Sequence, residues 1–214
     1  MLIRFLLIAG LGGSLLPCPT LAQTAPGPAH FYVGIGVNQI SNVPFLDRGI
    51  QSRILGPSFT VGRAFSSRLA VQTGLSYHWK NESYPYRGTT SSGNANLRLA
   101  YFIVPVLLRY TVTAPAKQFR FEVLGGVTAV HATSHLTYES DGSGPIDPVL
   151  QPSRLADTRF NLTLGPGVRA AITPRLELTA MGLVSAIAGD DYGRFRDRLF
   201  LNSSLGVNYT FSQR

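Results

Sequence analysis

The sequence has one cysteine and one tryptophan, and only 14% of its 214 residues are charged. Each scarcity excludes something. The single thiol, Cys18, can form neither an intramolecular disulfide nor a thiolate metal site. After residue 22 no uninterrupted apolar run reaches the roughly 20 residues that a membrane-spanning helix needs. Lys and Arg form no dense cluster, and no aromatic-basic RNA signature accompanies them, so nucleic acid is not an expected partner. What remains is a chain that is 44% hydrophobic, with 22 Gly, a composition open to soluble and membrane β-proteins alike.

The N-terminus narrows this. Arg4 gives a short positive region, Phe5 to Leu16 is apolar or small, and Thr20-Leu21-Ala22 makes a small-residue cleavage site. Residues 1–22 are therefore expected to be a signal peptide and residues 23–214 the mature domain. Cys18 lies inside the leader behind Pro17, which argues against a lipoprotein site. Without Arg4 the chain carries 18 basic and 11 acidic residues, a net charge of +7, suited to anionic headgroups or sugars.

Alternation supplies the fold. From Phe119, the residues Phe119, Phe121, Val123, Gly125, Val127 and Ala129 face one way, and Arg120, Glu122, Leu124, Gly126 and Thr128 the other. The same period marks His30–Asn38, Leu55–Phe65, Arg68–Lys80, Thr158–Ile172, Arg175–Ile187 and Leu199–Phe211. Asn96–Tyr110 is apolar on both faces around Pro105, which suggests a bulge and leaves its facing open. That makes eight strands. The polar period also accounts for N-x-S/T at Asn161, Asn202 and Asn208, and we expect no glycan there.

Links after the second, fourth and sixth strands are short, whereas those over 39–54, 81–95, 132–157 and 189–197 are long. Short-long alternation is the pattern of an outer-membrane barrel with periplasmic turns and extracellular loops. With both termini in the periplasm, Phe31, Phe119, Phe121, Tyr209 and Phe211 gather at one rim and Tyr77 and Trp79 at the other, as membrane-interface aromatics. The expected fold is an all-β, eight-stranded antiparallel up-and-down transmembrane β-barrel.

The run Ile103-Val104-Pro105-Val106-Leu107-Leu108-Arg109-Tyr110 resembles a stretch of the PorT-like small outer-membrane β-barrel proteins. The hairpin to Gly125-Gly126, the strand with Leu164-Gly165-Pro166-Gly167, and the closing Leu205-Gly206-Val207-Asn208-Tyr209-Thr210-Phe211 are similar to that family too. The resemblance implies a bacterial outer-membrane location and leaves room for a role in secretion or motility. It also implies insertion by the barrel assembly machinery, although Ser212-Gln213-Arg214 follow the terminal aromatic Phe211, where the family's strand usually ends.

Eight strands enclose space only for side chains, so a porin is not expected. Arg98, Arg120, Glu122, Arg169 and Glu177 are placed inside as a lumenal charge network, since buried charges persist when paired. Weak catalytic candidates are His131, Ser134 and His135, with Asp190 or Asp191 across the mouth, in the manner of a lipid-modifying acyl hydrolase. A metal reading of His131, His135, Asp141 and Asp190 has no diagnostic spacing, and no cofactor is expected. Tyr84, Tyr86, Arg87, Tyr138, Asp141, Asp147, Tyr192, Arg194 and Arg196 lie in the long connections, where a protein or glycan partner could bind. The reading is a structural or surface-interaction barrel in contact with outer-membrane lipid. A lipid-modifying enzyme and a soluble lipocalin-like barrel, with its apolar stripe turned inward, stand as alternatives.

Overall fold

The computed structural model describes residues 30–41, 53–87, 92–114, 118–140, 152–187 and 199–211. Residues 1–22, expected to be a signal peptide, with Cys18 among them, and Asp141, Asp147, Asp190, Asp191, Tyr192, Arg194 and Arg196 lie outside these residues. Eight strands follow in order: β1 (His30–Ser41), β2 (Ile54–Ala64), β3 (Leu69–Arg87), β4 (Ser92–Thr111), β5 (Phe119–Ser140), β6 (Ser153–Ala171), β7 (Leu176–Ile187) and β8 (Leu199–Phe211). Each pairs antiparallel with the next, and β1 pairs with β8 from Phe31↔Phe211 to Ser41↔Leu201, closing the barrel. Closure leaves the barrel wall without an edge, which hydrocarbon demands.

The barrel is inside-out compared with a soluble protein. Ile35 is 72% exposed on the outer wall while Leu124 is fully buried within. Large apolar residues such as Leu55, Leu75, Val106, Val127, Leu162, Val184 and Val207 form a belt on the outer wall, drawn from all the strands. A lipocalin-like barrel would turn that face inward. In water the belt would be an aggregation surface, whereas in lipid it faces its own kind.

The fourth strand corrects an expectation. Its offset against β5 is constant from Gly93↔Ser140 to Thr111↔Glu122, so Pro105 introduces no bulge and no change of facing. Pairs with β3 on either side, Thr73↔Val106 and Ser76↔Ile103, also share one offset. Pro105 lacks an N–H, so the ladder there loses a bond without losing register. Thr73 Oγ1 instead donates to the Pro105 carbonyl at 2.9 Å.

Two of the tight turns, at residues 65–68 and 172–175, are built alike. Ser66 Oγ accepts from the N–H groups of Arg68 (3.2 Å) and Leu69 (3.0 Å), and Thr173 Oγ1 from those of Arg175 (3.3 Å) and Leu176 (3.0 Å). A hydroxyl that occupies the turn's N–H groups fixes where the chain reverses. Each turn's arginine also reaches a tyrosine on the neighbouring strand, Arg68 to Tyr110 at 3.5 Å and Arg175 to Tyr209 at 3.4 Å.

The opposite end is uneven. β3 to β6 run for 19, 20, 22 and 19 residues against 12, 11, 12 and 13 for β1, β2, β7 and β8. Much of what the sequence presents as loop at 81–95 and 132–157 is therefore strand. Tyr84, Tyr86, Arg87 and Tyr138 belong to β3 and β5, and β3 passes to β4 through 88–91.

Candidate functional site

Near the turn end, inward positions of six strands meet around Glu122. Its Oε1 accepts from Arg169 Nε at 2.6 Å and Nη2 at 2.5 Å and from Thr111 Oγ1 at 3.1 Å, with Arg109 Nε at 3.5 Å. Arg169 Nη1 donates to Glu177 at 2.8 Å, and Glu177 also pairs with Arg120. Three guanidinium groups thus share two carboxylates. Arg109 lies 4.6 Å from the Tyr32 ring centroid and 3.5 Å from Gln72 Oε1, where the ring face and amide oxygen help to offset its charge. Tyr32 lies there because Gly62 opposite has no side chain: a Cβ would overlap the tip of the Tyr32 ring.

Four of the five residues expected in a lumenal network, Arg120, Glu122, Arg169 and Glu177, are brought together here. Arg98 is not. It is exposed on the outer wall, and Arg109 occupies the fifth place. The reason is the facing of β4, where odd positions point inward throughout. Leu107 and Ile103 inside and Val106 and Val104 outside are all apolar, so composition carried no phase; only the Arg109–Thr111 end could have shown it.

Above the ions the interior changes character. Thr128, Thr163 and Ser185 form a hydroxyl chain at 2.7 and 2.8 Å, and Asn38 donates to Asn202 at 2.6 Å. Further toward the long strands Ile40, Leu99, Tyr101, Ile103, Val130 and Phe200 pack as an apolar plug. The lumen is thus filled in layers, and the arrangement holds charge in place.

The catalytic candidates are separated by the wall. Ser134 points inward and is buried, while His131 and His135, at odd positions of the same strand, are on the outer face. His131 Nδ1 instead meets Thr158 Oγ1 at 2.7 Å. Among the described residues no group of His, Cys, Asp and Glu is placed to hold a metal ion.

Aromatics gather at both ends of the apolar belt. Phe31, Phe119, Phe121 and Phe211 are exposed at the turn end, Tyr209 packs edge-on against Phe211 at 5.1 Å, and the Arg63 guanidinium sits 5.2 and 5.5 Å from the rings of Phe31 and Phe65. At the other end Tyr77 lies 5.5 Å from Trp79 and 4.6 Å from Phe102. Beyond that girdle β3 to β6 continue as a projecting sheet. On its inner face Tyr86 packs edge-on to Tyr138 at 5.3 Å, Lys80 pairs with Glu82, and Arg159 with Asp157 at 2.5 Å. Its outer face presents Arg98, His135 and Arg154 in adjacent register positions, Arg98↔His135 and His135↔Arg154.

A closed antiparallel sheet with an apolar outer belt between two aromatic girdles defines a transmembrane β-barrel of the outer-membrane type. The sequence agrees: the chain belongs to the outer membrane protein beta-barrel domain family, whose model matches residues 8–211. Its place is the bacterial outer membrane. No curated protein matches the sequence. Among solved structures it is similar to a major outer membrane protein of Thermus thermophilus (15% identity, TM-score 0.60, 86% of this chain and 100% of that one). It is similar also to OprG of Pseudomonas aeruginosa (12%, 0.51, 86% and 97%). A third is Ail, the attachment invasion locus protein of Yersinia pestis, in complex with the heparin analogue sucrose octasulfate (11%, 0.50, 86% and 97%). At these identities the likeness is one of fold.

Proposed function

We propose that this is a non-porin surface-interaction barrel, whose projecting sheet is the element that meets a protein or glycan partner outside the cell. One observation carries the reading: among the described residues four strands continue past the girdle while the other four do not. Among the described residues β3 has no partner on its β2 side beyond Ser76, and β6 none on its β7 side before Asn161. Unpaired strand edges are a recognition resource that proteins cover when they have no use for it. The short turns at the other end then face the periplasm. Residues 1–22 act as the export signal, and the barrel assembly machinery inserts the chain. The PorT-like run 103–110 supports a setting near a secretion or motility apparatus, and Ail's complex with a heparin analogue supports a polyanionic glycan among the partners.

Trimming tests this. Replacing 81–98 and 135–154 by two-residue turns joins Lys80 to Leu99 and Ser134 to Leu155, which are already paired in register. The trimmed protein should reach the outer membrane and keep a heat-dependent gel mobility shift. Cells bearing it should lose at least about tenfold in adhesion to immobilised sulfated glycan or matrix protein relative to cells bearing the full barrel, the scale of a few lost contacts. Equal adhesion of the two, or none by either, would refute the proposal.

A further inference from the structure

We infer that Arg98, His135 and Arg154 form a binding row for the phosphate groups of outer-leaflet lipid, on the outer wall just beyond the girdle. It rests on the direction given above to the projecting strands, and not on the partner they meet.

Three independent features place the row. The first is register. Arg98, His135 and Arg154 are direct cross-strand neighbours on β4, β5 and β6, all exposed. The two arginines stand two strands apart, about 10 Å, on either side of the imidazole, a spacing that lipid phosphate groups can bridge. The second is the absence of a protein counter-ion: among the described residues no carboxylate lies within ion-pair distance of Arg98 or Arg154. The inner face of the same sheet differs, because Lys80 has Glu82 and Arg159 has Asp157. Neutralisation is supplied within the sheet on one face and left open on the other.

The third is height. Asn81, which pairs with Arg98, is two residues beyond Trp79, and Tyr77 and Phe102 pair two residues below that. Two residues of strand advance about 6.6 Å, less when tilted. The row therefore stands one step above the rings that sit at headgroup level. At that height the anions at fixed concentration are lipid phosphates. Guanidinium suits them, since its planar donors take two phosphate oxygens at once. Tyr77, Trp79 and Phe102 beneath would lie along the acyl chains of the same lipid.

The test uses the whole barrel folded in a neutral detergent, with the gel mobility shift as proof of folding. Bisphosphorylated lipid A, the same lipid with both phosphates removed, and sucrose octasulfate in solution are titrated, with bound species counted by native mass spectrometry. The wild type should hold the phosphorylated lipid about tenfold or more tighter than the dephosphorylated one, and R98Q/R154Q should lose that difference, as expected for two arginines near a charged surface. Both replaced side chains are exposed, so the variant should fold; R63Q, at the other rim, serves as the control and should retain the difference. Equal binding of the two lipids by the wild type, or an undiminished preference in R98Q/R154Q, would overturn the inference. So would sucrose octasulfate binding the row as tightly as the lipid, which would assign it to a soluble polyanion. Loss of lipid binding in R98Q/R154Q with adhesion intact separates this inference from the proposed function, since the trimmed barrel lacks all three residues of the row and should lose both.

Discussion

Glu122 is the residue on which the interior turns. It is buried, and it neutralises Arg169 while lying 3.5 Å from Arg109. Moving charges out of water is costly, and the cost is met only while the set is complete. Glu122→Gln keeps shape and most hydrogen-bonding capacity but leaves three guanidinium groups with Glu177 alone. We expect a loss of about 3 to 5 kcal/mol, the scale of a broken buried pair. Urea unfolding from lipid vesicles, followed by tryptophan fluorescence at Trp79, would measure it. A loss under about 1 kcal/mol would mean that water, not Glu122, screens the arginines. Gly62→Ala acts on the same cluster by another route. The added methyl must displace the Tyr32 ring, and with it the face that Arg109 lies against. A Gly62→Ala, Tyr32→Ala double variant should lose less than the sum of the two single changes, since once the ring is gone the methyl has room.

At the scale of the strand, the outer face and the inner face obey opposite rules. Val207 on β8 is on the outer wall, flanked by Leu205 and Tyr209 on the same face, and pairs with Ile35 and Leu178. Val207→Arg should cost roughly 2 to 4 kcal/mol if that face lies near the membrane midplane. The readout is the fraction of protein with an unboiled gel shift after folding into vesicles, which should fall, while Ser83→Arg on the projecting sheet leaves it unchanged. Equal folding of both would deny the lipid contact. The contrast also explains what was legible beforehand. Strands were readable where lipid meets one face and a polar interior the other, as along Phe119–Ala129 and Leu199–Phe211. Beyond the belt both faces of β3, β5 and β6 are polar, so Asn81–Arg87 and Ser153–Asp157 carried no period and passed for loop. Within β4 the reverse held: the plug inside and lipid outside are both apolar, so the sequence placed Arg98 inside and did not single out Arg109 for the network. Backbone pairing, which fixes those phases, is invisible to composition. Ser134 and His131 illustrate the same limit, since spacing of three along a strand sets them on opposite faces of the wall.

For the molecule as a whole, layering of the lumen decides whether anything passes. The ion cluster occupies the turn end and the apolar plug of Ile40, Leu99, Tyr101, Ile103, Val130 and Phe200 the other. An ion path would have to cross both. Side chains of the cluster can rearrange to carry charge, but an apolar constriction excludes ions by dewetting, so the plug is the higher barrier. Reconstituted in a planar bilayer, the wild-type barrel should show no resolvable conductance steps at about 100 mV, a voltage worth about 2.3 kcal/mol per elementary charge. Phe200→Ala with Tyr101→Ala removes the two aromatic rings of that plug. It should lower stability by several kcal/mol, since a large-to-small change of a buried aromatic costs about 3 to 5 kcal/mol. Conductance steps, if they appear, should appear only in that variant. Steps in the wild type would show that the plug moves as a gate. Their absence from both would place the barrier in the ion cluster, and Glu122→Gln would then be the variant to record, because it alone loosens the charged layer while leaving the apolar one intact.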